Sequence, residues 1–226
     1  MSKKTTRRRQ KRQQRKTNWI VIGGVIALGA IVLVGMLALA LREPGASGLQ
    51  LYCDNNPDAC VAEGAEDAPV TIVEIMDYSC GHCRNFILET APLIKQQYVE
   101  TGQVRLVSLP YALRAETIPA ASAGMCAAEQ DAYYPFTDAM FANFDEPDNL
   151  TRAGFVRAAE AVELDIDPFT ECVDEGRYVS TVQENMQRAG AAGVTSTPNF
   201  FIDGQKLEGN QPFSVFQQRI ESVLNS

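Results

Sequence analysis

The residues of this chain best suited to chemistry are Cys80-Gly81-His82-Cys83. Two thiols three positions apart on a helix share a face and lie within bonding reach, so they can cycle between dithiol and disulfide. The pair follows an apolar run, Val70 to Met76, and precedes a stretch of helical periodicity that begins near Gly81. The first turn of a helix carries free backbone N–H groups and a partial positive charge, both of which favour a thiolate. Cys80, standing at that end, is the expected nucleophile or leaving group. His82, the only histidine of the chain, can add positive charge inside the pair; activated cysteines ionise at roughly 3.5 to 7.5. Gly81 puts no side chain in the way of a partner approaching Cys80. A zinc site is the other chemistry of this spacing, but it needs four ligands, and the chain has no second C-x-x-C and no further histidine. A purely structural bridge over so short a loop gains little stability.

The elements that must hold the pair lie on either side of it. Val70-Thr71-Ile72-Val73-Glu74-Ile75-Met76 is mostly apolar and β-branched, as in a strand buried on both faces. Glu74 interrupts it. An ionised carboxylate there is costly unless paired. Glu74 therefore reads as a proton acceptor beneath Cys83, tuned upward by burial, or as an edge residue reaching solvent or a lysine. Asp77 and Tyr78 fill the turn into the site, with Asp77 as a simple helix cap. Phe86, Ile87, Ala91, Leu93, Ile94 and Tyr98 give a helical stripe ended by Gly102, and Val104 to Leu109 reads as a second strand. Strand, helix, strand implies a parallel pair.

From Thr117 to about Asp174 no good strand appears. Ala-rich segments at 118–130, 133–144, 151–162 and 168–174 form a helical block of roughly 60 residues, too large for a connecting loop. Thr151 reads as a cap within it. A further helix covers Arg177 to Ala189. Asn199 to Ile202 is a strand, Asp203-Gly204 a hairpin turn, and Pro212 to Leu224 a last amphipathic helix. Pro198 opens that strand, so it sits where no ladder donor is needed or in a cis turn.

Charge divides the chain. Residues 1–42 hold 10 of its 20 Lys and Arg and no acid; the rest holds 10 basic residues against all 28 acidic ones, a net of −18. So acidic a portion argues against nucleic acid or anionic lipid as its ligand. Residues 1–18 read as a basic cytoplasmic tail. Trp19 to Leu41 is 23 residues without a charge, about 35 Å as a helix. It reads as a single transmembrane helix that places everything after it outside the cytoplasm. The rival is a cleaved signal peptide ending near Ala38-Leu39-Ala40, though the run exceeds the roughly 7–15 residues of a signal core. Residues 42–68 read as a tether and N-terminal extension, flexible to Gln50 and then polar, wrapping the domain without joining its core. Outside the cytoplasm six cysteines are permitted to pair. With Cys80 and Cys83 together, the other four allow three connectivities. Cys53 and Cys60 flank a natural turn, which leaves Cys126 and Cys172; one of these pairs could instead be free and buried.

Residues 74–83 and 193–204, more than 100 positions apart and in the right order, resemble the DsbA-like thiol–disulfide oxidoreductases of the thioredoxin superfamily. The resemblance covers residues 69–226. It implies an α/β, thioredoxin-like fold with an inserted helical domain at about 115–175, here preceded by the transmembrane helix. By resemblance, Cys80 is the exposed attacking cysteine and Cys83 the buried resolving one, joined in the oxidised form as the redox disulfide. Pro198 is a cis-proline facing the pair, with Thr197 before it offering backbone to an extended substrate and a hydroxyl near the sulfurs. Glu74 falls where the family often keeps a buried acid. Cys126 and Cys172 resemble the second bridge of some membrane-tethered members. DsbA-type oxidases often carry proline where Gly81 stands, and Cys-Gly-His-Cys is the eukaryotic disulfide isomerase sequence.

The expected function is a membrane-tethered oxidoreductase that introduces disulfides into reduced exported proteins. It would need no metal or cofactor. Turnover would require a membrane quinone-linked reoxidising partner, DsbB-like or VKOR-like. The alternatives are a reductase or isomerase using the same residues, and a tethered client-binding module without redox turnover.

Overall fold

The computed structural model describes residues 28–33 and 46–226. Residues 28–33 are helical. The rest of the expected span at 19–41, and the basic tail at 1–18, lie outside the described residues. Among the described residues no helix is long and apolar enough to cross a membrane.

The apolar run that starts at Val70 forms β2 (Val70–Ile75), and all six of its residues are buried. A strand so poor in polar side chains needs neighbours on both edges and cover on both faces. On one edge β3 (Val104–Ser108) runs parallel and pairs Ser108 with Glu74. On the other, β4 (Asn199–Ile202) runs antiparallel and pairs Phe200 with Glu74. The edge reading of Glu74 is thereby excluded: it sits on the central strand. Short strands β1 (Val61–Glu63) and β5 (Gln205–Glu208) complete the order β1-β3-β2-β4-β5. Asp203 and Gly204 both take positive φ, 45° and 80°, in the two-residue turn that favours Asp-Gly.

Alternation along β2 sorts its side chains between two layers. Val70 and Ile72 join the layer built with Phe86, Phe200 and Phe216, and Val73 and Ile75 the layer built with Leu49, Tyr52 and Phe201. The first layer holds α2, a continuous helix in four segments: Gly81–Asn85, Phe86–Thr90, Ala91–Ile94 and Lys95–Val99. The second and fourth are wound as π-helix. Pro92 cannot donate to the turn before it, and the wider winding ahead of it absorbs that loss. Phe86 locks α2 to β4 and to the C-terminal helix through Phe200 and Phe216, at centroid distances of 4.4 and 5.5 Å.

Between β3 and β4 the chain is helical: α3 (Ile118–Ala128), α4 (Tyr133–Ala142), α5 (Arg152–Ala161), α6 (Ile166–Glu175) and α7 (Val179–Ala191). Helix α8 (Phe213–Leu224) ends the fold. Cys126 of α3 and Cys172 of α6 are joined by a disulfide, as are Cys53 and Cys60. Thr151 precedes α5, but its hydroxyl donates to the Asp148 carbonyl at 2.7 Å and does not cap the helix.

The tether reading of residues 46–50 is corrected: they begin α1 (Ala46–Asn55), whose Leu49 is buried. Residues 51–68 also do more than wrap the domain. Tyr52, Cys53, Ala59 and Cys60 enter the core, and β1 extends the sheet beside β3. A single 3₁₀ turn and a three-residue strand are each too short to leave a periodic signal.

Gly124 of α3 packs closely against Tyr78 at the junction of the insertion and the sheet domain. A Cβ there would stand 2.7 Å from the Tyr78 hydroxyl and 3.2 Å from the Tyr133 ring. Gly124→Ala is expected to lower stability by about 2 kcal/mol, the usual cost of overpacking a closed core. Denaturant unfolding of the variant checks this.

Candidate active site

Cys80 is the N-cap of α2, with extended backbone (φ −93°, ψ 113°) before the helix takes over. Its sulfur does what a capping oxygen does: it accepts the Cys83 N–H at 3.4 Å. The thiol in turn donates to the Thr197 carbonyl at 3.3 Å. Cys80 is half-buried, and its thiol is held down at about 5. The largest cause is the hydrogen bond from the Cys83 thiol; the Thr197 hydroxyl and the backbone N–H groups of Cys83 and His82 add to it, against the opposing effect of burial. His82 itself is exposed and contributes through its main chain, and Gly81 is exposed with open space where a Cβ would stand.

Cys83 is fully buried. Burial first, then its hydrogen bond and charge coupling to Cys80, push its thiol well above the ordinary range. The two sulfurs are thus driven in opposite directions. One is an anion at neutral pH and the other keeps its proton, the asymmetry a two-step exchange requires. Both are free thiols in this structure. The Thr197–Pro198 peptide is cis, and both residues are buried. The Thr197 hydroxyl has no partner of ordinary hydrogen-bond geometry, yet its dipole favours the anion at both sulfurs.

Glu74 is 1 % exposed, and neither carboxylate oxygen has a hydrogen-bond partner. Burial raises its pKa to about 7; Lys95 opposes the rise, and Asp138 and Glu63 add to it. Lys95 is engaged with Glu63 at 2.9 Å and sits over the Tyr134 ring at 4.3 Å.

Asp77 is the residue whose place the sequence did not reveal. It does not cap α2, since Cys80 holds that position. Its carboxylate is fully buried and takes four hydrogen bonds. Oδ1 accepts from the Ser79 N–H at 2.7 Å and from the Ser79 hydroxyl; Oδ2 accepts from the Leu113 N–H and the Thr117 hydroxyl, each at 2.6 Å. The Cys80 N–H donates to the Asp77 carbonyl at 3.0 Å. The donors at 113 and 117 are more than thirty residues away in sequence, and no local pattern announces them. Tyr78 is buried beside it, its hydroxyl 2.8 Å from Thr137 and its ring stacked on Phe141.

A helix-capping acidic thiol over a buried second thiol, on a sheet with a helical insertion, is the arrangement that thiol–disulfide exchange requires. Residues 56–222 match the thioredoxin family, and the chain belongs to it. It is 30 % identical over 213 residues to Na(+)/H(+) antiporter NhaA 3 of Salinispora tropica, covering 93 % of this chain and 31 % of that protein. The chain thus spans about a third of the length of the first curated relatives it matches. It is 20 % identical to the probable disulfide bond formation protein D of Bacillus anthracis, over 91 % of this chain and 96 % of that one. Among solved structures, Wolbachia pipientis alpha-DsbA1 superposes with a TM-score of 0.67 at 24 % identity, covering 74 % of this chain and 91 % of the other. The thioredoxin-like fold with a helical insertion, implied by the resemblance, is the fold observed.

Proposed function

We propose that this chain introduces disulfides into reduced exported proteins by exchange at Cys80 and Cys83. The observation that carries the reading is the opposed pair of sulfurs: an acidic, half-exposed one at a helix end and a proton-retaining, buried one beneath it. A substrate thiolate attacks Cys80 of the Cys80–Cys83 disulfide. The substrate–Cys80 bond forms, the Cys80–Cys83 bond breaks, and Cys83 leaves and takes a proton that Glu74 can supply. A second substrate thiolate then attacks the substrate sulfur of the mixed disulfide and expels Cys80 as its stable anion. Two electrons pass from the substrate to the pair, and a membrane quinone-linked partner, DsbB-like or VKOR-like, takes them up. Thr197 and Pro198 line the approach to Cys80, and Gly81 leaves it open. The bridges Cys53–Cys60 and Cys126–Cys172 are structural.

The same proposal assigns residues 1–18 to the cytoplasm, 19–41 to a single membrane span, 42–68 to an extension and 69–226 to the catalytic domain outside. The uncharged 23-residue run behind a basic flank supports it, and so do six cysteines, four of them bridged.

Cys83→Ser is expected to accumulate mixed disulfides with thiol-bearing proteins, and Cys80→Ser to accumulate none; equal adducts in both overturn the mechanism. The Gly81-His82 dipeptide favours a second reading, isomerase or reductase. The reduction potential of the pair separates the two. A value near about −120 mV fits an oxidase, and one near about −270 mV, like thioredoxin's, a reductase.

A further inference from the structure

We propose that Asp77 is a positioning residue for the exchange: its buried carboxylate ties the turn that carries Cys80 to the entrance of the helical insertion, and so holds the Cys80 sulfur against the end of α2. The inference rests on the function proposed above and deepens it. A fully buried carboxylate is costly unless its oxygens are saturated. Asp77 meets that condition without a cation, through four donors drawn from two places. Ser79, two residues on, supplies its N–H and hydroxyl. Leu113 and Thr117, between β3 and α3, supply the other two. The carboxylate is therefore a cross-link between the thiol turn and the segment from which the insertion begins.

Tyr78 makes a second tie in the same sense. Its hydroxyl meets Thr137 of α4, and α3 closes over it at Gly124. Between them, the adjacent residues Asp77 and Tyr78 tie the turn to the entrance of the insertion and to α4. Cys80 follows directly, with its own N–H on the Asp77 carbonyl. The sulfur reaches the Cys83 N–H and the Thr197 carbonyl only while that turn keeps its shape.

Asp77→Asn separates this role from the two that could mimic it. By charge alone, removing an anion near a thiolate would lower the Cys80 pKa. A merely structural role would lower Tm and leave the thiol where it was. A positioning role predicts the opposite of the charge effect: the amide cannot accept from all four donors, the turn relaxes, and the sulfur loses its N–H contact.

The test is to titrate the Cys80 thiolate by its ultraviolet absorbance in the reduced full chain, and to equilibrate each protein with glutathione. Asp77→Asn is expected to raise the pKa by about one unit or more, a tenfold loss of thiolate stabilisation that lowers the potential by about 30 mV. Thr117→Val, which removes one donor and keeps the charge, is expected to move both in the same direction by less. It decides the matter alone if Asp77→Asn does not fold. An unmoved or lowered pKa in the variants, with an acidic wild-type thiol, overturns this inference only. A wild-type thiol that ionises near 9.0 overturns the functional reading and this inference with it.

Discussion

Cys80→Ser is expected to lower disulfide transfer to reduced substrates at least about a thousandfold, about 4 kcal/mol of transition-state stabilisation. Serine keeps the capping geometry but offers no sulfur to attack, so the fold should survive while exchange stops. Activity assay with a reduced client, alongside circular dichroism, checks both halves. The wild-type thiol brings a pH signature. With the Cys80 pKa at about 5 in the folded dithiol form against 9.0 ordinarily, its alkylation rate should be flat above about pH 6 and fall tenfold per unit below about pH 5. The sign of the linkage follows. A depressed folded pKa stabilises the reduced form fully above the ordinary value, progressively less between 9 and 5, and not at all below about 5. The reduced protein should therefore lose its thermal advantage over the oxidised one as pH falls through that window. Melting temperatures of the two forms across pH measure it. A constant difference would remove the basis for an oxidising pair.

Glu74 gives the second large effect, with the opposite sign. Its folded pKa is raised, from 4.5 to about 7, because burial leaves the carboxylate without a donor. Folding therefore takes up a proton. The protein has its full stability below about pH 4.5 as far as this group is concerned, and loses about 3 kcal/mol as pH rises through 7. Glu74→Gln removes the charge in its place on β2. The variant is expected to match the wild type in pH slope below 4.5 and to exceed its stability by about 3 kcal/mol at pH 8. Chemical denaturation at the two pH values measures the difference. If Glu74 supplies the proton that Cys83 takes on leaving, the gain in stability should come with a loss of rate. Single-turnover transfer to a substrate should slow about a hundredfold. A variant both more stable and equally fast would confine Glu74 to a structural place.

The residues of this chain that act locally were legible before any fold was known. A β-branched run forms a strand, an Asp-Gly step turns a hairpin, and a Cys-x-x-Cys at a strand-to-helix junction puts one sulfur on free N–H groups. Each depends on neighbours within a few positions, and β2, β4 and α2 stand where periodicity put them. Glu74 was half legible. Its type and place announced a costly carboxylate, but both edges of its strand had to be filled, by β3 and β4, before burial was certain. Asp77 was not legible at all, because the donors that make its burial tolerable come from Leu113 and Thr117. The segment 46–63 escaped for a related reason: β1 is too short to carry a pattern, and only packing on Val73, Val107 and Phe201 gives it and α1 a place. Short-range order is written in the chain because it costs little entropy to form; long-range hydrogen bonds exist only once the whole sheet and insertion have closed around them.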